Sequence, residues 1–187
     1  MKKSRILFGL AAVALFDIGA GILISHLLAK IAGLPTSIFL YIAGIFFSLL
    51  PDLDILWQQI REGKINGYHR NSPLHWPIFT IFIVYILIGE FSSFFAAVAI
   101  LCLLSHYFHD TLEGEVGIKW LAPFSEKNFS IKKKDGKISF VVKPAELRQR
   151  CLVTAQDWVR RYYVRPTFKS VIGVVFFLGS VLTALFW

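Results

Sequence analysis

The sequence predicts a mainly α, multi-pass membrane protein of about five hydrophobic helices, with a small cytoplasmic β-hairpin and an amphipathic helix. Three observations carry that prediction. Hydrophobic residues fill 56% of the 187 positions and charged residues only 17%, more apolar matter than a soluble core of this length needs. The apolar residues gather in five stretches, 6–32, 36–56, 74–89, 91–108 and 170–187, each near the length that crosses a bilayer. The charge is segregated. With the N-terminus inside, segments 1–5, 57–73 and 111–167 hold 3, 3 and 12 of the 20 Lys and Arg residues. This asymmetry follows the positive-inside bias and predicts a protein of the cytoplasmic (inner) membrane, N-terminus inside and C-terminus outside.

The elements follow in order. The basic start, Met1 to Arg5, leads into an apolar run interrupted by Asp17 and His26, with Lys30 at its outer border. No small-x-small cleavage site ends that run, so it reads as a retained first span. The second span closes on Pro51, Asp52 and Asp54; proline ends or kinks a helix, here just before two carboxylates. The third and fourth spans, separated by Gly89-Glu90, form a tight helical hairpin. In 111–167, two β-prone runs, Phe129–Lys132 and Lys137–Val142, flank Asp135-Gly136, a turn pair that predicts a hairpin. After Pro144 a helix runs towards Pro166, with Leu147, Leu152, Trp158 and Tyr162 on one face. That face suits either the membrane surface or the bundle. The expected units are a membrane-embedded helical domain with a metal site (1–125), a cytoplasmic hairpin and amphipathic helix (126–167), and a C-terminal transmembrane helix (168–187).

The basic excess, formally +8, comes with no nucleic-acid recognition motif, so membrane lipids are the expected partners and no nucleic acid is. Cys102 and Cys151 form no CxxC, which excludes a cysteine zinc site and a disulfide framework. Gly-x-Ser-x-Gly elbows, Walker loops and dinucleotide fingerprints are also missing.

Ionisable groups near a membrane are costly, so their positions inform. The predicted topology brings Asp52 and Asp54, then His69, Arg70 and His75 of "HRNSPLH", then His106, His109 and Asp110 of "SHYFHD" to one face, the cytoplasmic membrane surface. His106 and Asp110 are four apart and share a helix face. Imidazole with carboxylate is a ligand set for a divalent ion, Zn before Mn or Fe, and the lack of thiolates favours a catalytic over a structural site. Asp52, Asp54, His69, His75, His106 and Asp110 are therefore the candidate metal ligands for one or two ions. His109 is a spare ligand or an interfacial residue. Asp17 and His26 are further candidates; His26 requires a broken or re-entrant first span, which Asp17 with Gly19 and Gly21 makes conceivable.

These motifs resemble the YdjM/YbcI-type family of membrane-bound metal-dependent hydrolases. Leu50, Pro51, Asp52 and Asp54 match its first motif, and His69, Arg70 and His75 the second. Ser105, His106, Asp110, Leu112, Gly117 and Pro123 match the third. "HRNSPLHW" departs from the family pattern by replacing a glycine and a threonine and adding one residue between the histidines. At the N-terminus, either His26 or Arg5 stands where the family carries a histidine. The resemblance implies a hydrolase acting on an ester or phosphoester, a lipid among the candidates, at the cytoplasmic membrane surface through a metal-activated water. Asp52 or Asp54 would serve as base or second-ion bridge, and Arg70 would stabilise developing negative charge. Two other readings of the same cluster are a metal transporter or sensor, and a non-catalytic adaptor with a structural metal site.

Overall fold

The structure is a computed structural model and describes residues 3–62, 67–112, 116–134, 137–153, 157 and 168–187. It is mainly helical, with one two-stranded antiparallel sheet. The helices are α1 (Lys3–Ile31), α2 (Ile38–Leu49), α3 (Leu53–Glu62), α4 (Pro77–Gly89), α5 (Ser93–Leu112), α6 (Pro144–Cys151) and α7 (Phe168–Phe186). Strands β1 (Phe129–Lys134) and β2 (Lys137–Val141) pair with Phe129 opposite Val141 and Lys134 opposite Lys137.

Among the described residues, three segments are long and apolar enough to cross a membrane, Ala14–Ile31, Ile38–Ile55 and Ser93–Leu112, while Pro77–Gly89 of α4 and Val171–Phe186 of α7 are shorter apolar stretches. The expected break after the second span is present. Pro51 sits in a one-turn 3-10 segment, Leu50–Asp52, that joins α2 to α3. Ser37 starts α2 by accepting the Leu40 N–H at 3.2 Å, satisfying one of the donors that a helix start leaves open. The hairpin of α4 and α5 turns through Glu90, Phe91 and Ser92, with Phe91 and Ser92 N–H both bonded to the Ile88 carbonyl.

Small residues let α1 pack at close range against two helices. A Cβ on Gly21 would stand 2.6 Å from the Gly44 carbonyl oxygen of α2, and one on Gly44 would collide with the Ser25 hydroxyl. A Cβ on Gly19 would stand 2.9 Å from the Phe177 Cα of α7. Lipid offers helices no hydrophobic drive to associate, so such backbone approach supplies the packing instead. Phe16 stacks on Phe176 and the His26 ring lies 6.0 Å from the Trp187 ring, so α1 and α7 run parallel. Two core clusters complete the bundle. Ala29, Leu40, Val98 and Cys102 join α1, α2 and α5, while Val84, Ala99, Leu103, Tyr107 and Ile118 join α4, α5 and the chain leading to β1.

Gly117 turns that chain with φ +73°, a conformation that favours glycine, and Ile118 then pairs with Phe129. The hairpin strands match the sequence expectation, while the Asp135-Gly136 turn lies outside the described residues. Of the expected amphipathic helix, Pro144–Cys151 is described and Leu152 is exposed; Trp158 and Tyr162 lie outside the described residues.

Candidate metal centre

Four elements converge at one end of the bundle. Asp52 lies three residues from the end of the second candidate span and Asp110 two from the end of the third, and Asp17 of α1 meets this level by facing His106 and His109 of α5. The fourth element is the loop between α3 and α4, which supplies His69, Arg70, Ser72 and His75.

His75 is the hub. It ends a one-turn 3-10 segment, Pro73–His75, and is fully buried. Tyr107 of α5 donates its hydroxyl to the Leu74 carbonyl at 2.7 Å, and Thr80 of α4 donates to the Pro73 carbonyl at 2.9 Å. These two bonds fix the turn from both sides. His75 Nδ1 hydrogen-bonds Asp54 Oδ2 at 2.9 Å, and the Ser72 hydroxyl donates to the same oxygen. The ring is therefore held with Nε2 pointing inward. Nε2 stands 3.6 Å from both Asp52 Oδ1 and Asp110 Oδ2.

His106 closes the figure from α5. Its Nε2 lies 3.8 Å from Asp52 Oδ1 and 3.6 Å from Asp110 Oδ2, and its Nδ1 lies 3.5 Å from Asp17 Oδ1. Arg70 Nη2 donates to the other Asp110 oxygen at 2.6 Å. Each inward imidazole nitrogen thus faces the same two carboxylates. Nitrogen and oxygen donors about 2.0–2.2 Å from one small cation stand about 3.0–3.6 Å from each other. The observed 3.6–3.8 Å separations are slightly wider than that.

The donor chemistry is consistent with a cation. His75 Nε2, His106 Nε2 and Asp110 Oδ2 are buried without a hydrogen-bond partner. Buried polar atoms are normally paired, and leaving one unpaired costs about 1–3 kcal/mol, more when charged. Four carboxylates (Asp17, Asp52, Asp54 and Asp110) meet here. Of these, Asp52 is the most open, its side chain 28% exposed against 6% for Asp110. Burial works against charge on His75, yet the Asp110, Asp52 and Asp54 carboxylates outweigh it and raise its pKa well above the usual value. The place thus calls for positive charge, which a divalent ion would also supply. Burial, with the neighbouring His75 and Arg70, lowers the pKa of His69. Two overlapping donor groups could hold ions: His75, His106 and Asp110, and Asp52, Asp54, His69 and His75.

All six candidate ligands come together, with Arg70 among them. Asp54 takes a position the sequence did not specify, at the outer nitrogen of His75, where it orients the ring. Asp17 joins through His106 and also faces His109 Nδ1 at 3.4 Å, and α1 needs no break for it to do so. His26 stays out of the centre. Its Nδ1 pairs with the Tyr41 hydroxyl at 2.9 Å near Trp187, towards the far end of α1. Sequence reasoning missed Ser72, Thr80 and Tyr107. Their only signal was a set of hydroxyls on or beside the histidine loop and on the His106 helix.

Outer partners of metal-bound histidines are worth about 10–100-fold in metal affinity. Asp54→Asn keeps the size of the side chain but weakens the acceptor at His75 Nδ1. It is expected to raise the dissociation constant for Zn²⁺ about tenfold or more in a competition titration, with helicity unchanged.

The family model described as YdjM inner membrane protein matches residues 6–186. No curated protein and no solved structure matches the chain.

Proposed function

The chain belongs to the YdjM inner membrane protein family, and on that premise we propose that it is a metal-dependent hydrolase cleaving an ester or phosphoester at the cytoplasmic face of the membrane. One observation carries the reading: His75 Nε2, His106 Nε2 and Asp110 Oδ2 are buried, converge, and have no hydrogen-bond partner. With Asp52 they form a nitrogen–oxygen donor set suited to Zn²⁺, with Mn²⁺ and Fe²⁺ as alternatives. His69 and Asp54 extend the set towards a second ion.

A divalent ion held there supplies Lewis acidity and makes a water acidic enough to lose its proton near neutral pH. The chain's own residues do the rest. Asp52, the most open carboxylate, is placed to accept that proton. Arg70 orients Asp110 through one nitrogen, and its fixed positive charge beside the centre would stabilise negative charge developing on a phosphoryl oxygen. Asp54 and Asp17 face the outer nitrogens of His75 and His106 and set which ring nitrogen points inward.

The parallel course of α1 and α7 suits the first and last of five crossings, with the basic segments inside. A transport site belongs near the bilayer midplane. Here Asp52 and Asp110 stand close to the ends of the second and third candidate spans, which favours chemistry at the surface.

Protein purified in detergent is expected to hold about one or two equivalents of divalent metal and to hydrolyse bis(p-nitrophenyl) phosphate or a p-nitrophenyl ester. A chelator should abolish turnover, and added Zn²⁺ or Mn²⁺ should restore it. Turnover indifferent both to the chelator and to Asp110→Ala would end the reading.

A further inference from the structure

The helix α3 carries large apolar side chains on a face that the bundle does not cover. Leu53 is 41% exposed, Trp57 65% and Ile60 80%. Their spacing, four and then three residues, places them on one side of the helix. The neighbouring side holds Asp54, which faces His75, and Gln58, both buried. In a helix surrounded by water this arrangement would leave three large apolar groups wet.

That face continues an exposed apolar one on α2. On α2, within a candidate membrane span, Phe39, Ile42 and Phe46 are exposed at the same spacing. Counting on by threes and fours leads through the half-buried Leu49 and Leu50 to Leu53, Trp57 and Ile60. The Pro51 segment does not break the stripe. Ile60 lies five residues past the end of the span at Ile55, about 8 Å along a helix axis. The headgroup layer on each side of the hydrocarbon core is about 5–8 Å thick, so the stripe ends where that layer ends. Trp57 is the residue type that settles at this depth, and the exposed Arg61 follows it. The chain's +8 charge suits an anionic lipid surface.

We propose that α3 is a membrane-interfacial helix, its Leu53, Trp57 and Ile60 face seated at the headgroup boundary of an anionic bilayer, so that the open side of the metal centre meets the lipid phosphates. Asp52, the most open member of the centre, is the residue just before Leu53. A lipid reaching Asp52 beside this stripe keeps its acyl chains in the bilayer while its phosphate enters the centre. This step rests on the hydrolase reading and narrows its substrate to a membrane-resident phospholipid; the seating of α3 does not depend on it.

The test has two arms in proteoliposomes of phosphatidylglycerol and phosphatidylethanolamine. In the first, single cysteines at Trp57→Cys, Ile60→Cys and Arg61→Cys carry an environment-sensitive fluorophore. Positions 57 and 60 are expected to be quenched by brominated lipid and shielded from iodide, and position 61 to show the reverse. Iodide quenching at 57 and 60 overturns the seating, and so does shielding without bromolipid quenching, which would mean a protein partner covers the face. In the second arm, the double variant Trp57→Glu, Ile60→Glu is expected to lose about tenfold or more in phospholipid hydrolysis on vesicles. Hydrolysis of bis(p-nitrophenyl) phosphate should stay within about twofold, with metal content unchanged. Equal loss on both substrates overturns the lipid-presenting role. An inactive wild type whose labels are quenched as expected overturns the hydrolase reading and the phospholipid substrate, and leaves the seating supported.

Discussion

His75→Ala is expected to strip the protein of bound metal and to lower its hydrolytic rate by about 10³-fold or more. Both of its ring nitrogens are committed to the centre. Nδ1 is held by Asp54, and Nε2 faces Asp52 and Asp110 at 3.6 Å each. His75 belongs to both donor groups, so its loss removes a ligand from either ion. It also leaves three carboxylates without their shared cationic neighbour. Removing one partner of a buried charge pair costs about 3–5 kcal/mol, so the variant should melt earlier than metal-free wild type. Elemental analysis, thermal melting with and without chelator, and turnover together resolve these effects. Full metal occupancy in a folded His75→Ala protein would remove the residue from the centre.

The second large effect lies away from the chemistry. Gly44→Val is expected to destabilise the bundle by about 3 kcal/mol or more, since overpacking commonly costs about 1–3 kcal/mol and here the obstacle is backbone. Even a methyl group at this position would overlap Ser25 and the Gly21 carbonyl, so α1 and α2 must separate. Separating them moves Asp17 away from His106, and metal affinity should fall with stability although no ligand has changed. Unfolding in mixed micelles followed by circular dichroism, alongside a zinc titration, measures both. A variant as stable as wild type would mean that the crossing tolerates wider spacing.

Much of this was legible in the sequence because its causes are local or periodic. Apolar run length marks the spans, proline marks the break before Asp52, and four-residue spacing puts His106 and Asp110 on one helix face. Charge segregation then brought the "PDLD", "HRNSPLH" and "SHYFHD" segments to one end. The roles within the cluster were not legible. Asp52 and Asp54 are two apart and chemically alike, yet the 3-10 turn at Pro51 aims one at the inner nitrogen of His75 and the other at its outer nitrogen. Asp17 was hidden for a related reason. Its distance along α1 argues for a place deep in the membrane, and only the packing of α1 against α5 shows that His106 reaches it. The stripe on α3 escaped because the apolar run closes at position 56, while the exposed helical face continues past it through Trp57 to Ile60.

The parallel pairing of α1 with α7 bears on the order in which the molecule is built. The first helix made packs closely against the last, with Gly19 against Phe177 and Phe16 against Phe176. During synthesis α1 must therefore wait beside lipid or the insertion machinery, its glycine face uncovered, until the chain beyond Phe168 has been made. Asp17 lies on this waiting helix, two residues before Gly19. Its side chain faces His106 and His109 of α5, so the metal centre can gather once α5 is in place, while the neighbouring Gly19 face still awaits α7.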